Sequence, residues 1–327
     1  MASPPKTYLG LIKACDNFPY IDISQTPNAD PPNPIFYQLL LPSDPRPHGF
    51  IHPSTVSAMP WTEHFSVSPP SVRPRTVQVL DPTNGTDPRA SSNAAFSAVV
   101  QRAKDLGVFE SLNKRKSTED YRIVGARYPT VQMRRAAAPL FGIACLGVHL
   151  TMYVRTKEDG FRIWVPRRSR RMHTYPGKLD STIAGGVAAH ESPLETLVHE
   201  AAEEASLPES LIRSRARACG AITYVGMNET GPEAGLTASG VLYVYDMEVD
   251  ETVVPQPMDD EVEEFYLWDV GQVKEALLRE EFKTNCASVM IDFFVRHGII
   301  TEENEPDYLE ITTRLHRSLP VPLTSST

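Results

Sequence analysis

The chain has 327 residues, 41% of them hydrophobic, which is enough for two cores, and its 29 prolines point to long irregular connections. A net charge of −9 leaves no basic footprint for a nucleic-acid backbone, so a nucleic-acid partner is not expected. Four cysteines (Cys15, Cys145, Cys219 and Cys286), none in a C-x-x-C pair, exclude a zinc ribbon or disulfide framework; with no signal-peptide pattern, they imply a reducing, cytoplasmic setting.

Residues 7–14 read as a short helix, followed by a turn at Asp16-Asn17-Phe18-Pro19. Residues 35–41 and 48–53 read as strands, and the proline- and serine-rich stretch 66–90 as a long surface loop. His48 and His52 lie among prolines with no third ligand nearby, so they read as a strand edge and not as a metal pair. Residues 93–106 read as a helix capped by Asn93 and stopped at Gly107, and Tyr121 begins a further strand. The uncharged run 136–154 is nearly long enough to span a bilayer. Its alternation through Val148, Leu150, Met152 and Val154 predicts a core strand instead, so no membrane partner is expected. A turn at Glu158-Asp159-Gly160 makes a hairpin with the strand 161–165. The basic run that follows contains Arg167 and Arg168, whose guanidinium forks suit phosphate oxygens.

Residues 185–207, GGVAAHESPLETLVHEAAEEASL, combine a glycine loop with a helix start at Ser192-Pro193-Leu194-Glu195. Leu194, Leu197, Val198, Ala201, Ala202 and Ala205 fall on one face and are expected to pack inward. Glu200, Glu203 and Glu204 share the other side, where like charges repel by roughly 0.2–0.5 kcal/mol per pair on an isolated helix. A hard divalent cation would relieve that repulsion. Residues 219–227 and 239–247 read as strands, separated by a glycine-rich loop at 228–238 placed to cover a pocket. The acidic run 259–264 precedes another strand, and Glu261 is the candidate fourth acid or general base. Residues 270–279 and 286–297 are amphipathic helices, and 302–318 a charged terminal turn or helix.

The glycine–glutamate stretch resembles the Nudix box of the Nudix hydrolases, G-x5-E-x7-R-E-U-x-E-E-x-G-U, where U is aliphatic. Gly185, Glu191, Glu200, Glu203 and Glu204 match its glycine and acids. His199 stands at the arginine position and Ser206 at the second glycine; the first change weakens the pair with Glu191, the second costs about 1 kcal/mol at a left-handed helix end. Further matches are Gly147-Val148-His149-Leu150-Thr151, Trp164-Val165-Pro166-Arg167-Arg168-Ser169, Tyr175-Pro176-Gly177-Lys178-Leu179-Asp180 and Phe282-Lys283-Thr284-Asn285-Cys286. With these the chain resembles the thiamine-pyrophosphokinase-related subgroup, a fungal and plant type with an extra N-terminal domain.

That resemblance implies an α/β fold, a Nudix α/β/α sandwich with a mixed sheet over residues 134–300. A smaller α+β domain over 1–133 precedes it, and an extension over 301–327 follows. It implies Mg²⁺- or Mn²⁺-dependent hydrolysis of a small organic diphosphate to the monophosphate, with thiamine diphosphate or its damaged analogues favoured. The expected metal ligands are Glu200, Glu203 and Glu204, the catalytic acids Glu203 and Glu261, and the substrate contacts Arg167, Arg168, Gly185 and Gly186. Glu191 and His199 are structural, Asp180 is a ligand or a loop brace, and Tyr243, Tyr245 and Trp164 would line a ring pocket or pack in the core. The alternatives are a nucleoside or prenyl diphosphate as substrate, or a Nudix-fold binding module without turnover.

Overall fold

The computed structural model describes residues 6–20, 36–114, 119–157, 160–228 and 234–325. Helix α1 (Tyr8–Cys15) starts where the Thr7 hydroxyl accepts the Gly10 amide at 3.0 Å. Strands β1 (Tyr37–Leu41) and β2 (Asp44–Ile51), helix α2 (Pro53–Ala58), and strands β3 (Phe65–Val67) and β4 (Thr76–Val79) come next. Helices α3 (Pro88–Asp105) and α4 (Glu110–Lys114) follow. The four strands make a sheet in the order β2-β1-β4-β3, with β1 and β4 parallel. Ala95, Phe96, Val99 and Ala103 of α3 share one core with Leu39, Ile51 and Val77 of this sheet.

Two expectations for this region fail for local reasons. The stretch 66–90 is not one loop: it holds β4, whose four residues bury only Val77 and Val79, too short an alternation to stand out among prolines. Helix α3 starts at Asp87, which accepts the Ala90 amide at 2.9 Å, with Pro88 at the first helical position. Asn93 lies inside the helix, where its side chain accepts from the Gln132 amide at 2.9 Å and donates to the Thr130 carbonyl at 3.2 Å. His48 is buried against Asp44 at 2.9 Å and His52 caps α2.

Strands β5 (Asp120–Arg122) and β6 (Gln132–Arg134) form a two-stranded antiparallel ribbon, followed by a 3₁₀ turn (Arg135–Ala137) and helix α5 (Ala138–Phe141). Ala136, Ala137, Leu140, Phe141 and Ile143 bury themselves in the first core, so its packing runs on past Arg134.

The second sheet begins with β7 (Ala144–Thr156), β8 (Gly160–Arg168) and β9 (Ile183–Gly186), then helices α6 (Pro193–Ala205) and α7 (Glu209–Arg215). Strands β10 (Arg217–Met227), β11 (Thr237–Val249) and β12 (Val262–Asp269) complete it, before helices α8 (Val270–Leu278), α9 (Thr284–Arg296) and α10 (Tyr308–Arg314). The order is β10-β11-β7-β8-β12, with β9 paired to β7; β7 and β11 are parallel and the other pairs antiparallel. Val148, Leu150, Met152 and Val154 face Leu197, Val198 and Ala201 of α6. Each such buried side chain contributes about 1.5–3 kcal/mol. The other face packs on α9 through Met290, Phe293 and Phe294. The result is the expected α/β/α sandwich, and the uncharged run 136–154 enters it as β7. No helix among the described residues is long and apolar enough to cross a membrane. Glu158 and Asp159 of the expected turn, and residues 229–233 of the expected loop, lie outside the described residues.

Both ends of the chain join this second layer. Leu11 and Ile12 of α1, and Ile311 and Leu315 from the α10 segment, sit in the α9 core. Between them Arg317 is buried, donating to Asp16 Oδ1 at 2.8 Å and to the carbonyls of Phe18 and Pro19 at 2.6 and 2.7 Å. Asp16 Oδ1 also accepts the Val225 amide of β10 at 3.0 Å.

Candidate active site

Helix α6 is built by its own sequence. Ser192 Oγ accepts the Glu195 amide at 3.3 Å and Glu195 Oε2 accepts the Ser192 amide at 2.9 Å, closing a capping box. Leu197, Ala201 and Ala205 are buried, but Ala202 lies on the exposed side. The helix ends at Ser206 in the left-handed region (φ 54°), the conformation that glycine adopts at least cost. Ser206 Oγ recovers part of this by donating to the Gln256 carbonyl at 3.1 Å.

Glu191 is anchored to this helix at two points. His199 Nδ1 lies 2.8 Å from its Oε1, and Thr196 Oγ1 donates to its Oε2 at 2.6 Å. His199 thus preserves the contact that an arginine would make. Thr196 was not visible as an anchor in the sequence, where it reads only as another helical position.

The glycine pair exists for close approach and not for an unusual backbone angle. A Cβ on Gly185 would overlap the Glu200 carboxylate, and one on Gly186 would overlap the Tyr121 hydroxyl. Glu204 is buried, and its Oε2 accepts the Ala184 amide at 3.2 Å, so two acids of α6 press against β9 while Glu203 stays exposed. Burial pushes Glu200 up to about 8 against the pull of Arg135, with Glu203, Glu119 and Glu261 adding to the rise. Burial also raises Glu204 well above the usual carboxylate range, helped by Glu200, Asp180 and Glu261. Glu261 is raised by burial and by Asp259, with Arg168 and Arg135 opposing. Its carbonyl accepts the Ser169 amide at 2.7 Å, tying this segment to the end of β8. The charge of Glu261 is therefore felt by both Glu200 and Glu204, and carboxylate oxygens are the donor type that suits a hard divalent cation.

The two candidate arginines have other partners. Arg168 is buried, donating to Asp180 Oδ2 at 2.8 Å and to the Thr174 carbonyl at 3.3 Å. Arg167 donates to the Tyr266 hydroxyl at 3.1 Å and to the Gly177 carbonyl at 2.9 Å, with Glu281 at 3.6 Å. Both forks are thus engaged within the fold, because the segment 174–180 turns back across the end of β8, which sequence spacing does not reveal. Trp164, Tyr243 and Tyr245 pack in the α6–α7 core and not around the acids.

Asp180 braces a further buried group. Its Oδ1 accepts from Cys286 Sγ at 2.7 Å, Lys283 Nζ lies 3.7 Å from its Oδ2, and His149 Nδ1 lies 3.0 Å from Ser181 Oγ. Ligand atoms of His149, Asp180 and Cys286 lie within 4.8 Å of one another. Arg168 and Lys283 already balance Asp180, so a third cation there would meet two like charges.

The family model of the NUDIX domain matches residues 147–286, from the first turns of β7 to the start of α9. An uncharacterized protein of Saccharomyces cerevisiae is 39% identical over 233 residues, 68% of each chain. Two Arabidopsis thaliana proteins, Nudix hydrolase 20, chloroplastic, and Nudix hydrolase 24, chloroplastic, are 40% and 38% identical over 56% of this chain. The chain spans about half the length of these plant relatives, 47% and 48%. With the box folded as helix α6 against a glycine loop, and with the family model matching over it, the chain carries a NUDIX domain over residues 147–286.

Proposed function

We propose that this protein hydrolyses a small organic diphosphate to the monophosphate with Mg²⁺ or Mn²⁺, and that thiamine diphosphate or its damaged analogues are the first substrates to test. The observation that carries the reaction class is that Glu200 and Glu204 of α6 press against β9 at Gly185 and Ala184, with Glu203 on the same helix and the charge of Glu261 felt by both buried acids. Glu200, Glu203 and Glu204 would hold the cation, which when bound polarises phosphoryl oxygens and lowers the pKa of water. Glu261, a carboxylate raised above its ordinary value and exposed at a loop, suits proton acceptance from attacking water. Gly185 and Gly186 leave room at the loop for the diphosphate, and Glu191 with His199 steadies the helix that carries the acids. The thiamine assignment rests on the segment-by-segment resemblance over most of residues 134–298. A cytoplasmic setting belongs to the same reading, supported by four free thiols, of which Cys15 and Cys286 are buried.

The test is a screen of thiamine, nucleoside and prenyl diphosphates with Mg²⁺ or Mn²⁺, reading monophosphate and phosphate release. Glu203→Gln is expected to lower turnover by about 10²-fold or more while leaving the fold intact, since the side chain is exposed. Equal release by variant and parent would sink the mechanism. Metal-dependent binding without release in the parent would identify a non-catalytic module instead.

A further inference from the structure

The β5–β6 ribbon precedes the segment that matches the family model, yet it closes over the glycine loop. The Asp120 carbonyl accepts the Ala189 amide at 2.8 Å, and Arg122 Nη2 donates to the Glu191 carbonyl at 3.1 Å. The Tyr121 hydroxyl fills the space beside Gly186, next to the glycine that receives the Glu200 carboxylate. Arg135 follows β6 directly. Its Nη1 donates to Glu119 Oε2 at 2.7 Å and its guanidinium carbon stands 5.4 Å from the centre of the Tyr121 ring. A guanidinium has five N–H donors, and the Glu119 contact engages one edge. The side chain is 40% exposed, and its other donors have no protein partner among the described residues. The Tyr121 ring on which Arg135 lies is thus the link from the guanidinium to the glycine loop, where Gly185 receives Glu200.

We propose that Arg135 contacts the diphosphate of the substrate, and that the β5–β6 ribbon is a wall of the substrate pocket. This rests on the hydrolase reading above. With the forks of Arg167 and Arg168 turned to internal partners, Arg135, lying on the Tyr121 ring that abuts the glycine loop, is a cation with donors to spare. A planar fork takes two non-bridging phosphate oxygens at once, and the Tyr121 ring holds its plane in place.

The inference is tested with methylenediphosphonate, whose P–C–P bridge resists hydrolysis, titrated calorimetrically at saturating Mn²⁺, and with Mn²⁺ binding measured separately by electron paramagnetic resonance. Arg135→Ala is expected to weaken methylenediphosphonate binding by about tenfold or more, with Mn²⁺ affinity unchanged or tighter. Arg135→Lys should recover part of the loss, because it restores charge without the fork. Glu119→Gln breaks the ion pair but leaves the arginine, so it should bind methylenediphosphonate as well as the parent. Equal methylenediphosphonate affinity in Arg135→Ala and the parent overturns this inference alone. So does an equal loss in Glu119→Gln and Arg135→Ala, since Arg135 would then only brace the ribbon. A parent that binds no Mn²⁺ removes the hydrolase reading and this inference together.

Discussion

Glu200 offers the sharpest test of the acid cluster, because its carboxyl is held protonated into the neutral range. Burial takes it from an ordinary 4.5 to about 8. Between those values the folded chain holds a proton that the unfolded chain has released. The stability this contributes is complete below 4.5 and is lost as pH rises through about 8. If the charge were isolated, the interval would set a ceiling of about 5 kcal/mol. Partial exposure and a mobile carboxylate reduce the expected effect to about 1–3 kcal/mol. Glu200→Gln has nearly the same shape and cannot ionise, so it escapes that loss. Urea denaturation in chelator should give nearly coincident midpoints for parent and variant near pH 5. The variant should then pull ahead by about 1–3 kcal/mol by pH 9. Saturating Mn²⁺ should reverse the order, because only the parent keeps the full ligand set and gains RT ln(1 + [L]/Kd). A difference that does not change with pH, or a parent that overtakes the variant in chelator as pH rises, would refute the reasoning.

The two glycines of the loop separate stability from metal binding. Gly185→Ala pushes against the movable end of Glu200 and should weaken Mn²⁺ binding more than it lowers the urea midpoint. Gly186→Ala meets the stiff Tyr121 ring and should cost about 1–3 kcal/mol of stability. Ser206→Gly relieves the left-handed helix end; even without the bond to Gln256 it should gain about 0.5–1 kcal/mol in the same denaturation assay, with Mn²⁺ affinity unchanged.

The sequence was most legible where chemistry and period coincide on one element. Helix α6 carries its cap, its buried face and its acids within a single stretch, and β7 declares itself by alternation. Glu261 was named from the acidic run before β12, and the structure ties that run to the end of β8 through the Ser169 amide and the Glu261 carbonyl. What stayed hidden depends on the chain doubling back. Arg168 looks free until Asp180 returns to it across β8, and the His149–Asp180–Cys286 group gathers residues from three segments. Arg135 lay at the start of the second expected unit, and only folding sets it on the Tyr121 ring that abuts the glycine loop. Helix α1 shows the same limit: its periodicity announces a helix, but nothing local says that it packs on α9.

The Asp16–Arg317 contact also sets an order in time. The two residues are 301 positions apart, and the aspartate also anchors β10 through Val225. A chain made from its N-terminus exposes Asp16 early and can offer it neither Arg314 nor Arg317 until about 300 residues later. Until then the α9 core lacks Ile311 and Leu315 as well. The sandwich that holds the glutamates is therefore completed only once the α10 segment has been added.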